Sequence, residues 1–237
     1  MGAPPGESEN AVEYDEVARA ESARGEVVLR ERHDPDAPEG PRVLELRVNG
    51  VFVMDTLETS SERGLASAAL GQVEAPRSVV VGGLGLGFTA HEVLADPRVE
   101  RLVVVEIEEA LVGWMRDGTV PHGPTFLADE RLSVVTADIR VAVAEAAPEQ
   151  HDLVLLDVDN GPGFLVHDDN EAVYQEPFLR QLHAVLRPGG ALVVWSAAPS
   201  EALRRDLERV FGGCVPIPYE VALQSRDEHY WLYLARR

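Results

Sequence analysis

From Ser78 to Gly213 short apolar runs alternate with amphipathic stretches, and that alternation leaves few architectures open. "SVVVGG" reads as a strand and "FTAHEVLAD" as a helix. "RLVVVEI" and "EEALVGWMRDG" repeat the pair, as do "LSVVTAD" and "IRVAVAEAA". "HDLVLLDVD" is a fourth strand, and "NEAVYQEPFLRQLHAVLRPGG" is expected to be one long helix stopped at Pro-Gly-Gly. "ALVVWSA" and "SEALRRDLERVFGG" follow. "VPIPYEVAL" and "HYWLYLARR" should close the domain as an antiparallel pair. Strands that are apolar throughout are buried on both faces, which predicts a mostly parallel sheet covered by helices on each side. Ligands of such sheets sit at the carboxyl ends of the strands, where the strand order reverses.

Ahead of this domain the pattern has period two. "EVVLRERH" and "RVLELRVNGVFVMD" alternate, and Asn49-Gly50 between apolar flanks is a hairpin signal. We expect residues 1–24 to form a mobile N-terminal segment with at most a short helix, residues 25–58 a small antiparallel β extension, and residues 59–237 the main domain. "TSSERGLASAALGQ" opens the main domain as a helix, capped by Thr59 or Ser60 and stopped at Gly71.

Composition removes several function classes. All 21 basic residues are Arg, so no mechanism that needs Lys is available: no Schiff base, no Walker A loop, no Tyr/Lys dehydrogenase pair. A formal net charge of −20 repels phosphate backbones and anionic bilayers, so neither nucleic acid nor membrane is an expected partner. It favours cations weakly and in a salt-dependent way, or simply solubility. Cys214 is the only Cys, which excludes an internal disulfide and a Cys-based zinc site. The His residues show no ligand spacing, and "HDDNE" (167–171) reads as a helix cap through Asp169 or Asn170, so no metal is expected. With no leader pattern and no membrane-length apolar run, a cytoplasmic location is expected.

The chemistry-bearing residues cluster at predicted strand ends. Gly83, Gly85 and Gly87 follow the first parallel strand, where backbone without Cβ atoms can turn tightly and approach a ligand; a ligand-free turn is the alternative. Glu106 ends the next strand, where an acid can accept both ribose hydroxyls of an adenosine ligand; the alternative is a member of the acidic helix start with Glu108 and Glu109. Asp138 ends the third strand, with Ile139 after it. The pair could hold adenine by its amine and its ring face, or Asp138 could be an ordinary helix N-cap. Asp157 and Asp159, with Asn160, follow the fourth strand. A carboxylate there could orient a reacting amine and take its proton, or make an Asx turn before Gly161-Pro162.

An acid after each of three successive strands, followed by "LRPGGALVVW", resembles the class I S-adenosylmethionine-dependent transferases. The N-terminal β unit, "GGLGLG", "VVEIE", "TADIR" and the final "YLARR" are similar to the spermidine synthases, the polyamine aminopropyltransferases, over residues 26–237. The resemblance implies an α/β, Rossmann-like class I methyltransferase fold with a seven-stranded, mostly parallel sheet and a small N-terminal antiparallel β extension. It implies Gly83, Gly85 and Gly87 at the cofactor turn, Glu106 and Ile107 at the ribose, Asp138 and Ile139 at adenine, and Asp157 with Asp159 at the reaction centre. The co-substrate would be S-adenosylmethionine or its decarboxylated form, and the partners a small-molecule amine acceptor and a second copy of the chain. The chain also departs from the family pattern. Gly85 stands where an Asp that binds the donor's amino group is usual, Glu62-Arg63-Gly64 replaces Tyr-His-Glu, Val53 replaces a Gln, and Asp157–Gly161 is a shortened D-S-x-D-P. The expected activity is transfer of an aminopropyl or methyl group to an amine. The alternatives are methylation of another small molecule, or a non-catalytic adenosyl-binding or interaction module. A nicotinamide oxidoreductase does not suit the glycine spacing.

Overall fold

The computed structural model of the chain describes residues 13–33, 40, 42–223 and 226–237. They fall into two compact units, Met1–Leu57 and Glu58–Arg237.

The first unit is an antiparallel sheet in chain order: β1 (Glu13–Ser22), β2 (Gly25–His33), β3 (Val43–Val48) and β4 (Val51–Asp55). The predicted hairpin is present. Asn49 and Gly50 both have positive φ, 50° and 76°, as the tight turn between right-twisted strands requires. The Asn49 side chain also accepts a hydrogen bond from the Glu26 amide at 2.9 Å, which ties this turn to the start of β2. Residues 13–22 differ from expectation: they form a strand, not a mobile or helical segment. Few of its side chains are apolar, because an edge strand needs only backbone partners and a polar outer surface. β2 supplies the ladder from Glu13–His33 to Ser22–Gly25, and the Arg30 guanidinium lies 3.8 Å from the Tyr14 ring centre. Residues 1–12 of the expected N-terminal segment lie outside the described residues.

The second unit runs α1 (Ser60–Leu70), β5 (Ser78–Gly82), α2 (Phe88–Ala95), β6 (Arg101–Glu106), α3 (Glu109–Asp117), α4 (Gly123–Leu127), β7 (Leu132–Thr136), α5 (Ile139–Glu145) and β8 (His151–Leu156). A 3-10 turn at Asp168–Tyr174 leads into α6 (Glu176–Val185), β9 (Leu186–Ser196), α7 (Glu201–Phe211), β10 (Val215–Leu223) and β11 (Arg226–Arg236). The sheet has seven strands in the order β10-β11-β9-β8-β5-β6-β7. β5 to β9 are parallel, and β11 and β10 close the edge antiparallel, as predicted. Every residue of β5 and β8 is buried, which explains the apolar runs Val79–Val81 and Leu153–Leu156; the polar residues at the strand starts bond one another, the Ser78 amide donating to Asp152 at 2.8 Å. Val80, Val154, Leu156, Leu192 and Val194 meet α5, α6 and α7 in one core layer.

The expected single helix over 170–190 is divided. Pro177 has no amide hydrogen and restricts the residue before it, so a new helix begins there with Gln175 as its N-cap. The Pro188-Gly189-Gly190 segment does not stop a helix; it lies inside β9. α4, a five-residue helix with Pro124 in its first turn, was not anticipated.

The chain runs outward from β5 through β6 to β7, then returns to place β8 on the other side of β5. The carboxyl ends of β5 and β8 therefore flank the reversal point of the sheet, where this class of fold opens a crevice.

Candidate functional site

The turn after β5 is stitched to both neighbouring strands. The Gly83 amide donates to Val105 O at 2.9 Å, and the Asp157 amide donates to Gly82 O at 2.8 Å. Gly83 has φ +96°, and a Cβ there would lie 1.9 Å from the Asp157 carbonyl oxygen, so only glycine allows the turn to lie against the end of β8. Gly85 and Gly87 follow at φ 50° and 88°, Gly87 as the N-cap of α2. His122 Nε2 lies 2.7 Å from Leu86 O, so that nitrogen carries the proton.

Glu106 closes the turn from β6. Its Oε2 accepts the Leu84 amide and its Oε1 the Glu108 amide, both at 2.8 Å. A carboxylate has about four acceptor sites, and these bonds occupy two. Glu106 is 7% exposed, and burial raises its pKa while the amides of Glu108, Leu84 and Ile107 oppose that rise. Ile107, next to it, is half-buried.

Asp138 takes up the capping role. It is the N-cap of α5, accepting the Arg140 amide at 2.8 Å and bonding the Arg140 guanidinium at 2.5 Å. Ile139 belongs to the core, packed where Gly82 has no side chain.

Beyond β8 the two candidate acids part company. Asp157 Oδ2 accepts the Thr89 hydroxyl at 2.9 Å. Burial, with the charge of Glu106 adding to it, pushes the Asp157 carboxyl up to about 6 against the pull of that hydroxyl. Asp159 instead organises the following loop. It accepts the amides of Asn160 (2.7 Å) and Val166 (2.8 Å) and the Asn170 side-chain amide (2.7 Å), with the His167 amide at 3.5 Å. Its carboxylate is occupied, and Asn170 serves this loop in place of the cap expected of it.

Three further residues meet here that sequence reasoning did not assign to the site. Thr89, in the first turn of α2, orients Asp157. Glu62, on the buried side of α1 with Leu65, Ala66 and Ala69, accepts the Ser61 hydroxyl at 2.8 Å. Burial first, and the charge of Asp157 second, push the Glu62 carboxyl up to about 7. Tyr174, 4% exposed, has its hydroxyl buried, with the Gly161 backbone as the one hydrogen-bonding group beside it among the described residues. Burial and the nearby charges of Asp159 and Asp157 raise its pKa. The one sequence signal for the burial of Glu62 was its place on the face of Leu65, Ala66 and Ala69, at i+3, i+4 and i+7; its nearness to Asp157 had none. Among the described residues no group of three His, Cys, Asp or Glu could hold a metal ion.

Residues 58–206 match the family described as "Spermine/spermidine synthase domain". Polyamine aminopropyltransferase 2 of Pseudomonas aeruginosa is 34% identical over 147 residues, which cover 57% of this chain and 40% of that protein. Putrescine N-methyltransferase 2 of Nicotiana tabacum is 30% identical over 125 residues, 52% of this chain and 33% of that protein. The chain thus spans less than half the length of these curated relatives. A solved spermidine synthase in complex with the transition-state analogue AdoDATO has a TM-score of 0.76 over 93% of this chain and 73% of its own, at 16% identity. The spermidine synthase of Thermotoga maritima gives 0.74 over 93% and 72%, also at 16% identity. Identities this low bear on the fold alone.

Proposed function

Because the matching domain extends over residues 58–206, more than half of the chain, the protein belongs to the spermine/spermidine synthase family, and from that premise we propose that it transfers an alkyl group from an adenosyl sulfonium donor to a small amine. The observation that carries this reading is Asp157, a carboxylate oriented by Thr89 at the end of β8, beside the glycine turn. The turn Gly83–Gly87 and Glu106 receive the adenosyl half of the donor, the free lone pairs of Glu106 taking the ribose hydroxyls. Ile107 adjoins the ribose side next to Glu106, and Asp138 with Ile139 at the start of α5 marks the adenine end. Asp159 shapes the loop over the acceptor side.

In the reaction Asp157 takes one proton from the acceptor's ammonium group. The freed nitrogen lone pair bonds to the carbon on the sulfonium sulfur. That carbon–sulfur bond breaks, and its electron pair stays on sulfur as a neutral thioether nucleoside. The product is a more substituted ammonium ion, and charge balances. A sulfonium already carries a good leaving group, so the protein contributes positioning and a base.

Two donors suit this chemistry: decarboxylated S-adenosylmethionine for aminopropyl transfer, and S-adenosylmethionine for methyl transfer. Gly85 favours the second reading. It puts no acid on the turn to attract a donor amino group or to repel a donor carboxylate. The proposal includes a homodimer, no nucleic-acid or membrane partner, and a cytoplasmic location; no helix among the described residues is long and apolar enough to cross a membrane. Parallel calorimetry with S-adenosylmethionine, its decarboxylated form and methylthioadenosine tests the donor site. At least one sulfonium donor and methylthioadenosine should bind; binding of none of the three contradicts the proposal, and donor binding without turnover on any amine points to a binding module.

A further inference from the structure

The inner face of α5 does not close against the sheet. Ala142 and Ala146 on the helix, with Val103 and Val135 on the strands, line a cavity of about 290 Å³, left open because the side chains on both surfaces are short. Protein interiors normally pack without voids larger than a water molecule. Twelve of the sixteen residues that line this space are Val, Ala or Ile, so its body suits an apolar group. It opens at the surface, where two of its lining residues, Val135 and Val141, are 39% and 51% exposed. Its end toward the glycine turn is closed by Ile139, which packs against Gly82: a Cβ on Gly82 would lie 3.2 Å from Ile139 Cγ1.

The polar lining is gathered at the opposite end. Arg101 and His151 are the first residues of β6 and β8. α5 runs back against the strand direction, so its last residue, Glu145, comes to that same end, with Gln150 just after it. Arg101 and Glu145 are both exposed, and neither side chain has an ion-pair or hydrogen-bond partner among the described residues. Other guanidinium groups at this end of the sheet are engaged: Arg187 holds Asp152 and Arg131 holds Asp129, each at 2.8 Å. Gln150 Oε1 accepts the Ala147 amide at 3.1 Å, which leaves its NH2 group to donate. His151 Nδ1 lies 3.0 Å from the Ser78 hydroxyl, and burial, then the charges of Arg101 and Arg187, push the imidazole down to about 4, so this ring is neutral.

We propose that the cavity is a binding site for a free α-amino acid with an aliphatic side chain: Arg101 and Gln150 hold its carboxylate, Glu145 holds its ammonium group, and its side chain fills the space under α5. One cation and one anion, unpaired at the same end of an apolar space, match a zwitterion with an apolar tail. An aliphatic carboxylate would leave Glu145 facing a like charge, an aliphatic amine would leave its cation beside Arg101, and a neutral molecule would use neither group. The volume lies just below the roughly 300–1,000 Å³ of small-molecule sites, which limits the ligand to a small one. The site stands apart from the transfer reaction and does not depend on it.

Calorimetric titration of the full chain with leucine tests this against three probes that each lack one feature. 4-Methylpentanoate has no ammonium group, 3-methylbutylamine no carboxylate, and glycine no apolar side chain. Leucine should bind, and each probe should bind at least roughly tenfold more weakly, since hydrogen bonds to charged groups are the strong class. The amine also suits the acceptor side proposed above, so its arm is read as displacement of bound leucine. Arg101→Ala and Glu145→Ala, both surface changes, should each weaken leucine roughly tenfold. Ala142→Leu fills the cavity and should abolish leucine binding without lowering the melting temperature. Methylthioadenosine affinity on the same samples should stay within about threefold of wild type. No wild-type binding of leucine, isoleucine or valine down to an affinity of about 10 mM overturns the site. So does 4-methylpentanoate bound as tightly as leucine, or wild-type leucine affinity in a folded Ala142→Leu protein. A parallel loss of methylthioadenosine affinity in the charge variants would place leucine at the donor site and overturn it as well. Should Ala142→Leu fail to fold, Arg101→Ala and Glu145→Ala decide with the same signs.

Discussion

Thr89 donates its hydroxyl to Asp157 Oδ2 at 2.9 Å across the reversal point of the sheet, linking the first turn of α2 to the end of β8. The bond joins residues from different parts of the chain, and it fixes which way the carboxylate faces. Thr89 is 3% exposed, so water cannot replace the hydroxyl easily. Thr89→Val keeps the shape and removes the donor. Hydrogen bonds to charged groups contribute about 1.5–3 kcal/mol, so kcat should fall roughly 10–100-fold while donor affinity stays near wild type. Thr89→Ser should retain most activity. Steady-state kinetics with calorimetry on the same samples check this.

Glu106 has both a structural and a ligand role in this account, and the two are separable. Glu106→Ala removes the acceptor for the Leu84 and Glu108 amides, so the melting temperature should drop. Adenosyl-ligand binding should weaken by about 2–3 kcal/mol through the lost charged acceptor. A folded variant with unchanged methylthioadenosine affinity would remove Glu106 from the site.

The glycines of the turn should differ sharply under substitution. Gly83→Ala pushes a methyl group to 1.9 Å from the Asp157 carbonyl oxygen at a positive φ, and should cost several kcal/mol (of order the ~4–5 that marks exceptional substitutions) or prevent folding. Gly85 sits at φ 50°, a conformation that Asp adopts more readily than most residues. Gly85→Asp should therefore fold and shift donor preference toward decarboxylated S-adenosylmethionine. An unshifted preference, measured by competition calorimetry, would show that Gly85 does not face the donor's tail.

The raised pKa values of Asp157 and Glu62 give a signed pH dependence. Both carboxyls titrate in the folded protein at about 6 and about 7, above their ordinary values. The folded state therefore binds more protons than the unfolded chain from roughly pH 4 to pH 7. Their contribution to stability is fully present below that window and is lost as pH rises through it. Activity should run the other way, because a base must be ionised: kcat/KM should rise through about pH 6–7. Thermal melts of Glu62→Gln should be flatter than wild type between pH 5 and pH 8. Melts with the wild-type pH dependence would contradict the assignment.

The sheet was legible because strand segments buried on both faces must be apolar, and the central runs of β5, β6, β8 and β9 are: Val79–Val81, Leu102–Val105, Leu153–Leu156 and Ala191–Trp195. β1 was not, because an edge strand takes its partners from the backbone, and EYDEVARAES carries no periodic apolar face. The Gln175–Pro177 break was legible in principle from proline's missing amide, and the surrounding helical periodicity masked it. Asp138 could not be resolved from sequence, since a ligand contact and an N-cap call for the same residue in the same place; Arg140 settles the cap only in three dimensions. Glu62 read as a departure from a family pattern because its nearness to Asp157 depends on how α1 packs, which no local sequence signal encodes.

The central claim is that Asp157 takes a proton from an amine so that the amine can displace a thioether nucleoside. The most direct measurement is release of that nucleoside from S-adenosylmethionine and from its decarboxylated form, with putrescine and a panel of related amines, by wild type and Asp157→Asn. The wild type should show acceptor-dependent release from at least one donor. Asp157→Asn should lower it by roughly 10²–10⁴, the range for loss of a positioned base, with donor affinity little changed. Full activity in Asp157→Asn, or no acceptor-dependent release by a wild type that binds the donor, would contradict the claim.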